Sequence, residues 1–554
     1  MTADQFVPWP ADLAHAYRVA GVWRGRPLGS YLWEWADQHG DWIAVRDGAH
    51  RLTYRELATA TDLLAERVAR LGLGRGDTIL VQLPNCWQFV VLTLACFRLG
   101  VRPVMMLPPH REYEMGSIAA HVRAKALVVP SVWRGFDHQR MAHQIAAGLA
   151  EPARVLVVGD DVRPDSVDLL GLLDSPADGD DDGQRRRRWL DERAPDGADI
   201  ALFLLSGGTT GVPKLIGRTH DDYEYNIRQV VAACGFGPDT RYLAVLPAGH
   251  NFPLANPGIL GALFAGGQAV LVPSPRPDVV FEAIETARVT ATSAVPAVAL
   301  KWMETAATCG RDLSSLRFVH VGGSMLAPEV AARIGPALGC RLQQVYGMAE
   351  GLICYTPIDA SDEVAHGTQG MPISAYDELL IVDDDGRPVP PGAVGELLTR
   401  GPYTPRGYYG SPAQNSLSFT TDGWYRTGDL VRRTAEGAVV VCGRVKDLIN
   451  RAGEKISAGE VEALVQELPQ VAEAAAVPQP DPEVGERVCL FVRLHAPGQL
   501  TLADVAAAFA RRGVAAFKVP ERLVVLPELP QTAVGKPDKK VLRELLRTEV
   551  PVAG

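Results

Sequence analysis

A layered α/β fold followed by a smaller α+β unit is the architecture that this sequence predicts, on three observations. Helix-like and strand-like segments alternate through most of the chain, the pattern of layered α/β proteins. At 554 residues and 47% apolar content, the chain is too long for one ordinary domain and rich enough to bury a large core. From about Lys446 the pattern changes to a short succession of helices and strands.

The elements follow in order. Thr53 and Glu56 form a capping-box pattern, Leu57, Leu64, Val68 and Leu71 recur at helical spacing, and Gly72 closes the helix. A strand-like run, Thr78 to Leu83, comes next. Further β-rich runs lie at Val155 to Val158, Ala201 to Leu205, Ala269 to Val272 and Phe318 to Val321, with a helix-like stretch at Val279 to Arg288. The segment from Asp174 to Arg193, DSPADGDDDGQRRRRWLDER, is dense in charge and turn formers. It is expected to be a solvated loop whose acidic half cancels the Arg185 to Arg188 run. Past Lys446, a helix (Glu460 to Leu468), a strand (Arg487 to Leu494), a helix (Leu502 to Arg512) and a strand (Arg522 to Leu526) make the small unit. The expected boundary divides residues 1–445 from residues 446–554.

Composition excludes several classes of function. The 65 acidic and 55 basic residues, net charge −10, are mixed along the chain, which argues against a nucleic-acid or anionic-membrane surface. Eight scattered cysteines without a CxxC pair suggest neither a zinc knuckle nor a disulfide framework. The opening MTADQFVPWPADL lacks the basic and apolar regions of a signal peptide. The longest apolar run, Phe89 to Phe97, is about half of the roughly 20 residues that a spanning helix needs. The expectation is a cytoplasmic protein without a membrane partner.

The segment most suggestive of chemistry is SGGTTGVPK, Ser206 to Lys214. A buried strand runs into Gly207, Gly208, Thr209, Thr210 and Gly211, small residues that let backbone N–H groups approach phosphate oxygens, with hydroxyls and Lys214 to complete a cradle. It is not a Walker A loop, because Lys214 follows Val212 and Pro213 and no Ser or Thr comes after it. Alone, it could equally be a flexible turn.

Four more segments follow: YGMAEG (Tyr346 to Gly351), YRTGDL (Tyr425 to Leu430), GRVKDLINRAGEKI (Gly443 to Ile456) and PQTAVGK (Pro530 to Lys536). Together with the loop they resemble, in order, the motifs of the adenylate-forming superfamily. Within it the chain is most similar to the stand-alone aryl-acid adenylating enzymes, of the 2,3-dihydroxybenzoate-AMP ligase and salicylate-AMP ligase type. That likeness shows in FVPWP, VQLPN (Val81 to Asn85), RTHDDYEY (Arg218 to Tyr225), HNFPLANPG (His250 to Gly258) and TRGPYTPRGYY (Thr399 to Tyr409). It implies a large N-terminal adenylate-forming domain of layered sheets and helices with a small mobile α+β C-terminal domain.

The resemblance implies a reaction in two halves. A carboxylate attacks the α-phosphorus of ATP to give acyl-AMP and pyrophosphate, and a phosphopantetheine thiol then takes the acyl group. Both halves need positioning and electrostatic stabilisation more than a covalent protein nucleophile. Lys536 is implied as the catalytic cation between carboxylate and α-phosphate, and Glu350 as the Mg²⁺ partner, since hard cations prefer oxygen ligands. Ser206 and the loop residues would cradle phosphates. Tyr346 would stack on adenine, with Gly322 and Gly323 leaving room at the purine's other side and Gly347 also part of the ATP site. Asp429 would accept from the ribose hydroxyls, assisted by Arg444. Lys446 and Asp447 occupy the hinge, and Gly453 faces the thiol tunnel, where the usual glycine pair reads Ala452-Gly453. By residue type alone Tyr346 could be core, Asp429 a turn residue and Lys536 a solvated side chain.

The acid pocket is implied in HNFPLANPG. The position of Asn251 meets an ortho hydroxyl in the family, and carries aspartate where α-amino acids are held. An asparagine amide, with donor and acceptor ends, is expected to tolerate an ortho hydroxyl or amino group alike. Asn256 stands where relatives usually have serine or cysteine, and could hydrogen-bond a 3-hydroxyl or fill its space. Phe252 and Val345 would supply apolar walls, and His250 would line the pocket or position phosphate. Met325 stands where lysine is common, with core packing as its plain alternative. The leading acids are 2,3-dihydroxybenzoate, salicylate and 3-hydroxyanthranilate, with an aryl carrier protein in trans as acceptor in siderophore or nonribosomal peptide biosynthesis. Transfer to free CoA is the alternative, and a silent nucleotide-binding subunit a remote one.

Overall fold

The computed structural model describes residues 5–173, 180–206, 213–451, 454–481, 484–496, 498–512, 514, 516–532 and 535–548. Among them, four larger sheets of nine, seven, four and five strands organise the chain, with helices between and around them. The family fold expected from the motifs is the one found: layered α/β sheets first, a smaller α+β unit last.

The anticipated helix spans Tyr54–Arg70. Thr53 Oγ1 accepts from the Glu56 N–H at 3.2 Å and Glu56 Oε2 accepts from the Thr53 N–H at 2.8 Å, so two amides that the helix start would orphan are satisfied. The apolar run Phe89 to Phe97 lies inside the helix Trp87–Leu99, buried from Phe89 through Leu99 in the main core. No helix of the described residues is long and apolar enough to cross a membrane.

In the nine-stranded sheet, Arg241–Ala244, Ala291–Ala294, Phe318–Gly322 and Arg341–Met348 run parallel, which sends their C-terminal ends to one edge. Ligands of open α/β sheets gather at such an edge. In the seven-stranded sheet, Ile200–Leu205 pairs antiparallel with Leu215–Thr219, which brings Ser206 and Lys214 together at the ends of two paired strands. The four-stranded sheet, Glu378–Val382, Gly395–Arg400, Tyr425–Arg433 and Val439–Arg444, is antiparallel throughout.

One expectation fails. The segment taken as a solvated loop contains a helix, Asp180–Asp191, while residues 174–179 lie outside the described residues. Its arginines are not answered by their acidic neighbours in sequence alone. Arg186 Nε meets Glu66 Oε2 at 2.6 Å, Asp191 Oδ1 accepts from the buried Arg98 at 2.7 Å, and the Arg187 guanidinium lies 4.7 Å from the Trp33 ring centroid. Leu190 is fully buried and Trp189 packs on the core. The partners come from helices far away in sequence, so charge density misread a docked amphipathic helix as solvent-facing.

The five-stranded sheet is built from Leu448–Arg451, Glu454–Ser457, Val471–Asp481, Gly485–Leu494 and Arg522–Val525. Sequence reading omitted its longest strand, Val471–Asp481, because the alanines and prolines of VAEAAAVPQPD hide the period of two. It also omitted the helix Lys539–Thr548. This unit touches the larger one. Arg512 Nη2 lies 3.3 Å from Glu329 Oε1, His495 Nδ1 lies 2.8 Å from Glu304 Oε1, and Gly459 approaches Met325 so closely that an added Cβ would sit 2.7 Å from its sulfur. Met325 is therefore a contact between the two units, not an interior methionine.

Candidate active site

The C-terminal ends of the parallel strands carry Gly322, Gly323, Tyr346, Gly347 and Glu350, residues expected from the sequence to meet the nucleotide and its metal. Gly322 ends its strand opposite Val345, and a Cβ there would sit 2.5 Å from the Val345 carbonyl oxygen, so only glycine allows the two strands to approach. Gly323 has φ +95°, a left-handed backbone that other residues avoid. Tyr346 and Gly347 follow Val345 on the next strand, and Glu350 is buried just beyond its end.

Asp429 and Arg444 face each other across the antiparallel pair Tyr425–Arg433 and Val439–Arg444, and Arg444 Nε donates to Asp429 Oδ1 at 2.6 Å. The Tyr346 hydroxyl donates to the other oxygen, Oδ2, at 2.7 Å. Burial and the Asp429 charge push the Tyr346 phenol well above its ordinary range, so it stays a donor. Glu350 Oε1 accepts from the Tyr408 hydroxyl at 2.8 Å, and that hydroxyl lies 3.2 Å from the Tyr425 hydroxyl. Tyr408 also sits under Lys214, whose Nζ is 4.9 Å from its ring centroid.

At the base of the phosphate-loop segment, Ser206 N donates to the Lys214 carbonyl at 3.0 Å and Ser206 Oγ accepts from Lys214 N at 3.0 Å. Gly207, Gly208, Thr209, Thr210 and Gly211 lie outside the described residues, as does Gly453. Lys446 belongs to a short turn, Val445–Asp447, that leads from one sheet to the next; Asp447 is held by Arg543 at 2.9 Å and Lys539 at 3.5 Å.

Lys536, in the smaller unit, reaches this cleft. A Cβ added to Gly323 would lie 3.5 Å from Lys536 Cε and 4.0 Å from Nζ. Its ammonium is held down to about 8 by burial and then by Arg444, with Asp429 opposing. His250, near the same charge, is lowered to about 4 by burial and by Lys536. Its Nδ1 accepts from the Phe252 N–H at 3.2 Å, so the neutral ring carries its proton on Nε2 and offers a donor there.

His250 caps the short helix Asn251–Ala255, which holds Asn251 and Phe252, with Asn256 at its end; all three are buried. Tyr223 donates to Asn251 Oδ1 at 2.8 Å. Asn256 accepts on Oδ1 from Asn226 Nδ2 at 2.8 Å and donates from Nδ2 to the Asn251 carbonyl at 3.2 Å. Behind them Arg218 and Asp222, fully buried, pair at 2.6 Å. Tyr223, Asn226, Arg218 and Tyr408 received no role from the sequence. For Arg218, Tyr223 and Tyr408 the signal was the segments RTHDDYEY and TRGPYTPRGYY, family-like stretches whose residues had no stated task; Asn226 lies just past the first.

The magnesium ion that ATP chemistry implies can be tested against this geometry. Glu350 keeps Oε2 outside its bond to Tyr408, and no group of three or more His, Cys, Asp or Glu side chains converges among the described residues. One carboxylate sharing the ion with substrate phosphates is the usual magnesium arrangement, and the residues fit it.

Residues 32–409 match the AMP-binding enzyme family and residues 460–536 match the AMP-binding enzyme C-terminal domain. A salicylyl-CoA synthase / salicylate adenylyltransferase of a Streptomyces species is 54% identical, covering 99% of this chain and 98% of its own. A 2-hydroxy-7-methoxy-5-methyl-1-naphthoate--CoA ligase of Streptomyces carzinostaticus is 53% identical, covering 97% and 96%. The apo structure of MbtA from Mycobacterium smegmatis superposes with a TM-score of 0.75 at 44% identity, covering 98% of each chain. Matched by the family models in both its larger and its smaller part and by relatives along nearly its whole length, this chain belongs to the AMP-binding enzyme family, whose members act as ligases.

Proposed function

We infer that this enzyme activates an aromatic carboxylic acid bearing an ortho oxygen substituent as its adenylate, and then passes the acyl group to a phosphopantetheine thiol. The observation that carries the reading is the approach of Lys536 to Gly323 in a cleft that also holds Asp429, Arg444 and His250. The two relatives named above both bear names of ortho-hydroxy aromatic acids or their thioesters.

In the first half-reaction an oxygen of the acid carboxylate bonds to the α-phosphorus, and the bond between the α-phosphorus and the bridging oxygen breaks as pyrophosphate leaves. Lys536 holds the carboxylate and the α-phosphate together as their charges merge, and His250 Nε2–H donates to an oxygen of the same group. Asp429 holds the ribose hydroxyls, Tyr346 and the two glycines border the purine, and Ser206 with the adjoining loop and Lys214 takes the pyrophosphate oxygens. A magnesium ion bound with the nucleotide supplies positive charge to the phosphate oxygens, and Glu350 would hold it. In the second half-reaction the thiol sulfur attacks the acyl carbon, AMP leaves, and the thiol proton passes to solvent. Residues 446–554 would then turn about Lys446 and Asp447 to bring Gly453 to the thiol path, with residues 1–445 staying in place.

The acceptor we propose is an aryl carrier protein in trans, as in siderophore and related nonribosomal pathways. Free CoA is a second reading, favoured by the CoA in the names of both Streptomyces relatives. ATP–pyrophosphate exchange with benzoate, salicylate, 2,3-dihydroxybenzoate, anthranilate and 3-hydroxyanthranilate tests the first half. Activity with aliphatic or α-amino acids alone would defeat the aryl reading. Thioester formation with free CoA against holo carrier protein decides the acceptor.

A further inference from the structure

The acid pocket rests on a buried line of polar side chains whose donor and acceptor directions are set from its two ends. Arg218 has donors only; its Nε donates to Asp222 at 2.6 Å and its Nη2 meets Asn226 Oδ1 at 3.4 Å. Asn226 must therefore turn its NH₂ outward, and it donates to Asn256 Oδ1 at 2.8 Å. Asn256 in turn donates to the Asn251 main-chain carbonyl at 3.2 Å, an oxygen that can only accept. Both ends of the Asn256 amide are thus engaged by protein.

Asn251 is oriented by a separate partner. Tyr223 is fully buried, and its hydroxyl lies 2.8 Å from Asn251 Oδ1, its one hydrogen-bond partner among the described residues. A buried phenol proton without an acceptor costs more than an unused lone pair, so Tyr223 donates and Oδ1 accepts. The Arg218 guanidinium, 4.9 Å from the Tyr223 ring centroid, polarises the phenol toward donation. Nδ2 of Asn251 has no partner among the described residues, so with Oδ1 turned to Tyr223 it is the end of that side chain that keeps both of its hydrogens for a ligand.

We propose that Tyr223 is a positioning residue that turns the Asn251 NH₂ toward the substrate, favouring acids whose ortho substituent accepts a hydrogen bond over those whose ortho group must donate. This rests on the aryl-acid reading and sharpens it. In salicylate the hydroxyl proton turns to the acid's own carboxylate and leaves its oxygen to accept from Asn251. In anthranilate the nitrogen lone pair is drawn into the ring, so the amino group meets the Asn251 NH₂ as donor against donor. A pocket of this kind takes ortho-hydroxy and ortho-alkoxy acids. On this proposal, the equal tolerance of hydroxyl and amino groups expected from an unconstrained asparagine gives way to a preference for the hydroxyl.

The test is kcat/KM for salicylate, anthranilate and benzoate in ATP–pyrophosphate exchange, with the wild type, Tyr223→Phe and Asn251→Asp. The wild type should prefer salicylate to anthranilate by about ten-fold or more, the usual cost of a mismatched buried hydrogen bond. Tyr223→Phe frees the amide to turn over and should cut that preference about ten-fold, with salicylate falling relative to benzoate, which has no ortho group to read. Asn251→Asp offers an acceptor and should reverse the preference toward anthranilate. A wild type that favours anthranilate overturns the proposal. So does a Tyr223→Phe enzyme in which all three acids fall in parallel, the mark of a merely structural role, or one whose preference is unchanged. If Tyr223→Phe does not fold, the wild-type ratio and its reversal in Asn251→Asp still decide. A wild type that activates none of the three acids defeats the aryl-acid reading itself, a result distinct from loss of selectivity.

Discussion

The hydroxyl of Tyr346 donates to Asp429 Oδ2 at 2.7 Å while Arg444 Nε donates to Oδ1 at 2.6 Å. The carboxylate proposed to hold the ribose is thus aimed by one residue from the nine-stranded sheet and one from its own cross-strand neighbour. Each oxygen keeps a lone pair for a ribose hydroxyl. A site oriented in this way needs little rearrangement when nucleotide arrives.

The aim itself can be removed. Tyr346→Phe deletes one hydrogen bond to a charged group and should raise the KM for ATP about three- to ten-fold with kcat largely kept. Asp429→Ala deletes the acceptor and should raise it further, about ten- to a hundred-fold. ATP titrations of pyrophosphate exchange measure both. An unchanged KM in Asp429→Ala would remove Asp429 from the nucleotide site.

The pH dependence of adenylation follows from Lys536. Burial and Arg444 lower its ammonium to about 8, and the cation is the form that can bridge two anions. As pH rises through about 8 the free enzyme loses that charge, so kcat/KM for adenylation should fall on the alkaline side. Lys536→Arg keeps its charge there and should flatten this limb. Lys536→Ala should slow adenylation about a hundred- to a thousand-fold, the cost of losing one preorganised donor. Thioester formation from pre-formed acyl-AMP should be nearly spared. A Lys536→Arg profile that keeps the wild-type alkaline limb would assign it to another group.

Hinge control predicts a split between the half-reactions. Lys446→Pro restricts the backbone where the turn Val445–Asp447 joins the two units. Thioester formation should slow at least about ten-fold, with pyrophosphate exchange within about two-fold of wild type. Single-turnover transfer beside exchange measures both. Equal loss in the two assays would refute rotation about this residue.

Beneath the acid pocket, Asp222 accepts from Arg218 and, through Oδ2, from the Thr219 N–H at 2.6 Å and the Thr219 hydroxyl at 2.9 Å, all buried. Arg218→Ala leaves that carboxylate buried without its cation and should destabilise the larger unit by about 3–5 kcal/mol. Burial already raises the Asp222 carboxyl above its ordinary range against the opposing pull of Arg218; losing Arg218 raises it further, and protonation relieves part of the loss. The deficit should therefore shrink as pH falls toward the carboxylate range. Urea unfolding at neutral and mildly acidic pH tests this; a deficit independent of pH would point to lost packing instead of an unpaired charge.

The legible parts of this protein are those written in local pattern. Thr53 and Glu56 mark a helix start because a capping box needs only residues three apart. Gly322 stands out because a close strand approach admits no Cβ. The motifs around Glu350, Asp429 and Lys536 stand out because the chemistry of a nucleotide demands carboxylates and a cation in set contexts. Those short-range signals were enough to place the chain among enzymes of this family. They misled where partners are remote. The arginines of Asp180–Asp191 meet Glu66 and Trp33 from other helices, which charge counting along the chain could not register. The orientation of the Asn251 amide belongs to the same class. The sequence by itself determined that an asparagine stands at the position proposed to meet the acid, and so the kind of group available there. Only the tertiary structure decided which end of the amide it shows, because hydrogen-bond direction is imposed by Tyr223, on another helix, and by nothing in HNFPLANPG itself.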